Sequence, residues 1–166
     1  ANIALGALYA MTGRLDRALL FTEKALNMDS TNLMACINLG LIYTSLGRLD
    51  DAERIMLYSI GLDSTETGPY WGLARLYIAQ NRGAEAEQVI RAGQTFEPDS
   101  PYLYFMLAAL RSHQNALDEA FELLESGLKK GVNNIFDFLQ QDPVMARLKQ
   151  EAQRWDALIT KYLSKD

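Results

Sequence analysis

The sequence repeats itself with a period of 34 residues, and this feature constrains the fold more than any other. A leucine followed by glycine or alanine recurs at this step, together with a column of alanines and a column of tyrosines. Such a period is typical of chains in which one supersecondary unit stacks on copies of itself. We therefore expect a repeat fold instead of a single globular core. The columns are Leu5, Leu39, Leu73 and Leu107; Ala18, Ala52, Ala86 and Ala120; and Tyr9, Tyr43 and Tyr77, which Arg111 follows.

Each period is predicted to be a pair of helices. Apolar residues in the first half keep the 3.6-residue spacing of a helix, as Leu73, Leu76 and Tyr77 do. Ser100 and Pro101 are suited to the N-cap and the first turn of a helix. The small residues of the leucine and alanine columns let two helices approach closely. Midway through each period stands a residue that tolerates a left-handed backbone, namely Gly13, Gly47, Asn81 or Asn115.

This pattern resembles the tetratricopeptide repeat (TPR) family. A 34-residue unit with Leu-Gly, tyrosine, glycine and alanine columns, a second small residue near the end and a closing proline such as Pro98 is similar to that family's repeat. The resemblance implies an all-α, right-handed α-solenoid of helix-turn-helix TPR units with a C-terminal capping helical segment. Departures include Cys36 in place of a large residue, Arg111 in place of tyrosine and Val132 in place of proline. The expected units span residues 1–32, 33–66, 67–100 and 101–134.

After residue 134 the period fails, and residues 135–166 are predicted to form a helical cap. A stack of repeats needs a terminal segment that covers its last apolar face. We expect a short helix from Ile135 to Gln141, a second helix begun by Asp142-Pro143, and a third helix from Gln153 to Leu163. The third helix carries an apolar stripe that is expected to dock on the fourth unit. The stripe consists of Trp155, Leu158, Ile159 and Leu163.

The composition argues against several classes of function. The formal net charge is −5 and the isoelectric point is near 4.9, so the chain lacks the basic surface that nucleic-acid binding needs. Cys36 is the only cysteine, which excludes an intrachain disulfide and favours a small core residue over a nucleophile. No run approaches the length of a membrane span, and the first residues lack the order of a signal peptide. We expect a piece of a longer chain, without membrane insertion. The compartment stays open, with the cytoplasm favoured.

We find no pattern that predicts an enzyme, a cofactor site or a metal site. His113 is the only histidine, and no acid or ligand at helical spacing completes a triad or a metal site around it. Glycines are spread over helix boundaries and form no phosphate-binding loop. Acidic residues on second helices, which face outward in the resembling family, are expected to form a solvated surface. These acids are Glu85, Glu87, Asp118, Glu119, Glu122 and Glu125.

The resemblance also implies where partners would bind. In the family, first helices line a concave groove, and the corresponding residues here would make that groove apolar and aromatic. Family members that hold an acidic chaperone C-terminus use a clamp of lysine, arginine and asparagine, of which only Asn38 is matched. An apolar helix or extended peptide suits such walls better. The expected groove residues are Met34, Ile37, Asn38, Leu41 and Thr44, then Trp71, Arg75 and Ile78, then Tyr102, Phe105 and Ser112.

These observations predict a non-catalytic protein–protein interaction scaffold that binds a peptide or a helical segment of a protein partner. An alternative is a regulatory or docking segment of a larger enzyme or signalling protein. A second alternative is homo-oligomerisation through the groove or the N-terminal edge. An RNA-binding helical repeat is disfavoured by the period and by the charge. For each of Trp71, Tyr102 and Phe105, packing between neighbouring first helices competes with partner binding.

Overall fold

The computed structural model describes residues 2–131, 139–140 and 143–163, and every regular element in this part of the chain is helical. Eight helices form the repeats, and a 3-10 turn at Pro143–Met145 leads into two further helices. The repeat helices are α1 (Asn2–Met11), α2 (Leu15–Met28), α3 (Leu33–Ser45), α4 (Leu49–Leu62), α5 (Gly68–Ala79), α6 (Gly83–Gln94), α7 (Pro101–His113) and α8 (Leu117–Lys130); the last two are α9 (Ala146–Gln150) and α10 (Ala152–Leu163). The predicted all-helical fold of paired helices is thus confirmed.

The turns inside the pairs have the left-handed backbone that the sequence predicts. Gly13 and Gly47 have φ angles of 72° and 73°, while Asn81 and Asn115 have φ angles of 58° and 65°. Glycine adopts this conformation at no steric cost, and asparagine tolerates it better than most residues. The same turn geometry therefore ends the first helix of each repeat.

The connections between repeats follow their own recurring pattern. Asp29 and Asp63, which end α2 and α4, each accept hydrogen bonds from the amide and the hydroxyl of a threonine two residues later, at 2.7–3.1 Å. These bonds lower the pKa of both carboxyl groups. The Asn32 side chain then caps α3 by accepting from the Ala35 amide at 3.1 Å. Ser100 is the N-cap residue of α7 and Pro101 stands in its first turn, as predicted, although the Ser100 side chain makes no capping hydrogen bond.

The chain divides into two compact units, one from Ala1 to Leu76 and one from Tyr77 to Asp166. In the first unit, α1 packs on α2, α3 packs on α4, and α2 packs on α3. Glycines sit at the close contacts: a side chain on Gly6 would meet Thr22, and one on Gly40 would meet Met56. In the second unit α7 packs on both α6 and α8.

The segment after the repeats packs within the second unit. Helix α9 contacts α7 and α8, and α10 contacts α8 and α9. Trp155 is buried, whereas Leu158 and Ile159 are half-buried. The side chain of Leu163 lies outside the described residues, as do most of the expected helix from Ile135 to Gln141 and the residue Asp142.

Polar contacts also join α10 to α8. The Glu125 carboxylate accepts from Lys161 Nζ at 2.7 Å and from the Tyr162 hydroxyl at 2.7 Å. The Arg154 guanidinium lies 4.2 Å from the centre of the Phe121 ring and pairs with Asp118 at 2.9 Å. Because hydrogen bonds from Lys161 and Tyr162 favour the carboxylate, the pKa of Glu125 is lowered to about 2. These contacts join α10 to α8 within the second unit.

Candidate interaction site on the first helices

Helix α3 presents a partly apolar surface made by four of the predicted groove residues. Met34 is 58% exposed, and Ile37, Asn38 and Leu41 are half-buried. Their spacing of three or four residues places them on one side of the helix. We call these four residues the α3 surface. The predicted Thr44 is also half-buried, and its hydroxyl donates to the Gly40 carbonyl at 2.9 Å.

The start of α5 lies beside this surface, within the same compact unit. A side chain on Gly68 would approach the Ile37 Cδ1 atom to 3.3 Å, so the missing side chain permits close approach of the two first helices. Trp71 and Arg75 follow on α5, and both are half-buried. The first unit therefore holds five of the larger predicted groove residues on two neighbouring first helices, namely Met34, Ile37, Leu41, Trp71 and Arg75.

In the second unit three of the predicted groove residues are buried, and these expectations are corrected here. Phe105 is fully buried, and its ring lies so close to α8 that a side chain on Gly127 would be 2.5 Å from it. Ile78 is 1% exposed and also belongs to the core. Ser112 is buried and donates to the Ala109 carbonyl at 2.8 Å, while Tyr102 is half-buried.

The physical reason is that α7 is covered from several sides. It contacts α6, α8 and α9, so few directions remain open to solvent around it. The sequence-based assignment applied the regular repeat geometry to the fourth unit. There the absence of a side chain at Gly127 leaves room for the Phe105 ring between α7 and α8. Glycine at this position is no sufficient signal, because Gly93 stands 34 residues earlier in the repeat whose Trp71 is half-buried.

Charged residues at the turns make contacts that the sequence analysis missed. The Arg48 guanidinium lies 4.3 Å from the centre of the Tyr43 ring, and its side chain pairs with Asp51 at 2.6 Å. Arg82 repeats this arrangement 34 residues later, 4.2 Å from the centre of the Tyr77 ring and paired with Glu85. The tyrosine column thus carries cation–π contacts on top of its packing role.

In the fourth repeat an arginine on the first helix replaces both members of that pair. Arg111 stands in the tyrosine column, and Ala116 stands where the earlier turns have arginine. The Arg111 guanidinium bonds to Glu119 at 2.9 Å and to Glu87 of α6 at 3.0 Å. These bonds raise the pKa of Arg111 and, with a bond from Arg91, lower the pKa of Glu87 to about 2. The network is electrostatic support for the stacking of α6 on α7.

The structure was searched for a metal-binding cluster over the residues that it describes. No group of three or more histidine, cysteine or acidic side chains lies in a metal-binding arrangement among them. Cys36 is buried, and this burial raises the pKa of its thiol, which disfavours the reactive thiolate. Desolvation, with a smaller effect of Arg147, lowers the pKa of His113. Over the same stretches, no helix has both the length and the hydropathy that crossing a bilayer requires.

Comparison with known proteins identifies the repeat. Sequence models described as tetratricopeptide repeat match residues 35–69 and 68–92. These segments cover most of the second and third predicted units. No curated protein is significantly similar to the chain in sequence.

Several solved structures share the fold. A thermophilic TPR protein of Thermus thermophilus, TTC0263, is 19% identical with a TM-score of 0.81, and the match covers 99% of this chain and 91% of that one. A chain of the APC/C hetero-tetramer Cut9-Hcn1 is 17% identical with a TM-score of 0.79, and the match covers 99% of this chain and 34% of that one. MamA is 20% identical with a TM-score of 0.62, covering 97% and 91%. At these identities the matches show the fold alone.

Proposed function

We propose that this chain, as a member of the tetratricopeptide repeat family, whose members act as protein–protein interaction scaffolds, binds an apolar segment of a protein partner through α3 and α5. The observation that carries this proposal is the exposure of Met34 beside the half-buried Ile37, Leu41 and Trp71 within one compact unit. Apolar side chains gathered on one surface are typical of a docking site.

The chemistry of the surface narrows the class of ligand. Its large side chains are methionine, isoleucine, leucine and tryptophan, while Asn38 and Arg75 supply polar groups nearby. Methionine adapts its shape to different apolar partners, and tryptophan is a frequent anchor of binding energy. The proposed ligand is therefore a helix or extended peptide with two or three large apolar side chains. A ligand recognised mainly through its terminal carboxylate does not fit this residue set.

Selection from a peptide library displayed on phage, with the intact chain as bait, tests the proposal. We expect enrichment of peptides with apolar residues at helical or alternate spacing. Trp71→Ala and Met34→Ser are expected to weaken binding of a selected peptide by roughly tenfold or more, because truncation of a central apolar anchor typically has that effect.

Leu57→Ser is the matched control. Leu57 is 49% exposed, close to Met34 in exposure, but it lies on the second helix α4. We expect this variant to bind the selected peptide as the wild type does. Selection of acidic peptides only, or equal loss of binding in Leu57→Ser and Met34→Ser, contradicts the assignment of the α3 surface.

A further inference from the structure

A carboxylate stands at the edge of the α3 surface, in the connection between α4 and α5. Glu66 is exposed, and its carboxylate accepts a hydrogen bond from the Gly68 amide at 3.2 Å. A Cβ atom on Gly68 would lie 3.4 Å from Glu66 Oε1 and 3.3 Å from Ile37 Cδ1. Both atoms are neighbours of one point, so a negative charge lies beside an apolar side chain of the α3 surface. All three residues belong to the first compact unit.

Glu66 keeps acceptor capacity for a ligand. A carboxylate has two oxygens with about four acceptor positions, and the Gly68 amide occupies one of them. Within the part of the chain that the structure describes, no lysine or arginine pairs with Glu66. The nearby Asp63 differs, because its carboxylate already accepts from the amide and the hydroxyl of Thr65. Glu66 is thus the acid of this connection that a bound cation would meet.

The residues that flank the surface carry opposite charges at its two ends. Helices α1 and α3 contain no charged residue, and Arg75 is the only charged residue of α5. Arg75 follows Gly68 by about 10 Å along α5, with Trp71 between them. A bound segment therefore meets a negative charge near Ile37 and a positive charge beyond Trp71. Such a polarity discriminates between the two directions of a ligand.

We propose that the partner carries a lysine or an arginine beside its apolar side chains, and that Glu66 binds this cationic group. The inference rests on the proposed binding through α3 and α5, and it adds the charge and the direction of the ligand. Lysine and arginine have an apolar stem below a charged head. The stem packs on Ile37 while the head reaches the Glu66 carboxylate. Arg75 repels a cation at the other end, so the basic residue lies on the Glu66 side of the apolar residues.

Peptide selection with two baits tests the charge and its position. With the wild-type chain we expect enrichment of lysine or arginine at one position, always on the same side of the apolar residues. With Glu66→Lys as bait we expect aspartate or glutamate at that position, because the charge that the ligand meets is reversed.

Titration of one synthetic peptide from the wild-type selection measures the contribution of the pair. Glu66→Gln keeps an oxygen that can accept from the Gly68 amide, so the start of α5 is retained. We expect this variant to bind the peptide about three- to fivefold more weakly at about 50 mM salt, and to differ less at about 500 mM salt, because exposed ion pairs are weak and screened. Glu23→Gln, an exposed acid on α2, is the matched control and is expected to bind as the wild type does.

The outcomes separate this inference from the proposed function. Peptides that require Trp71 but show no basic preference overturn the inference and leave the proposed function standing. Equal binding by Glu66→Gln and the wild type at low salt, or equal weakening by Glu23→Gln, does the same. Absence of any peptide whose binding requires Trp71 contradicts the proposed function and this inference with it.

Discussion

Arg111 replaces the tyrosine–arginine pair of the earlier repeats, while the turn between the two helices keeps its geometry. In the second and third repeats a tyrosine ring supports an arginine from the turn, and the arginine pairs with an acid on the second helix. In the fourth repeat Arg111 comes from the tyrosine position and reaches the equivalent acid, Glu119, directly. It also gains Glu87 from the preceding second helix. A guanidinium beside the acid is thus common to all three turns.

Removal of the Glu87 charge is expected to destabilise the fold in a pH-dependent manner. The pKa of Glu87 is lowered from 4.5 to about 2, so its stabilising contribution is present above about pH 4.5 and is lost as the pH falls towards 2. Glu87→Gln is expected to lower the free energy of unfolding by about 1 kcal/mol at pH 7, a value that allows for partial solvent screening. Near pH 2 the substitution is expected to leave the free energy of unfolding unchanged. Urea unfolding at several pH values measures this difference. A constant difference down to pH 2 would show that packing, not charge, is responsible.

Truncation of Phe105 is expected to lower the stability of the fold much more than truncation of Met34. Phe105 is fully buried, so Phe105→Ala is expected to lower the free energy of unfolding by about 3–5 kcal/mol through lost contacts and a cavity. Met34→Ala is expected to change it by less than about 1 kcal/mol, because Met34 is largely exposed. Thermal and urea unfolding monitored by circular dichroism measure the stability of the two variants. Equal stability of the two variants would contradict the assignment of Phe105 to the core.

At the scale of helices, contact between α7 and α8 depends on the absence of one side chain. A Cβ atom on Gly127 would lie 2.5 Å from the Phe105 ring, and a flat ring held between two helices has little freedom to move away. Gly61, in α4, has no atom within 4 Å of such a position. The two helical glycines therefore have opposite roles: one is needed by packing, and the other only weakens its helix.

Alanine substitutions distinguish these roles. Gly127→Ala is expected to destabilise by roughly 1–3 kcal/mol because it overpacks the contact between α7 and α8. Gly61→Ala is expected to stabilise by up to about 1 kcal/mol through helix propensity. Differential scanning calorimetry of the two variants measures both effects under one condition. Stabilisation by both substitutions would mean that α7 and α8 are less closely packed than described.

The same scale includes the docking of α10 on α8. Trp155 is 4% exposed. Trp155→Ala is expected either to detach α10 from α8 or to lower the free energy of unfolding by about 3–5 kcal/mol. Hydrogen exchange of residues 152–163 is expected to accelerate in the variant, since detachment opens their amides to solvent. Asp156→Ala, an exposed change on the same helix, serves as control. Unchanged exchange and melting in Trp155→Ala would show that this helix is not part of the core.

At the scale of the whole chain, charge argues for protein rather than nucleic-acid ligands. The net charge of −5 gives no general attraction for phosphates. We expect no mobility shift of a labelled single-stranded RNA by the chain at about 150 mM salt, where non-specific contacts are already weak. A salt-dependent shift would favour the RNA-binding alternative.

Much of the fold follows from spacing in the sequence. The 34-residue period predicts the helix pairs, and the glycines and asparagines predict the left-handed turns, because both depend on local backbone preferences. Which side of a first helix is covered depends instead on non-local packing. Phe105 and Trp71 occupy the same position of their repeats, yet Phe105 is buried and Trp71 is half-buried. Periodicity alone treats the two as equivalent.

The fit of Phe105 to Gly127 has a consequence for how such a chain can change by recombination. The pair joins position 5 of its repeat to position 27, and the same positions hold Trp71 with Gly93, Ile37 with Ser59 and Ile3 with Ala25. Large aromatic residues thus occur with glycine, and smaller aliphatic ones occur with alanine or serine. Exchange of whole 34-residue modules keeps Phe105 with Gly127. A crossover inside the module, which joins α7 to a copy of α4, sets a serine against the Phe105 ring and is expected to destabilise that helix pair.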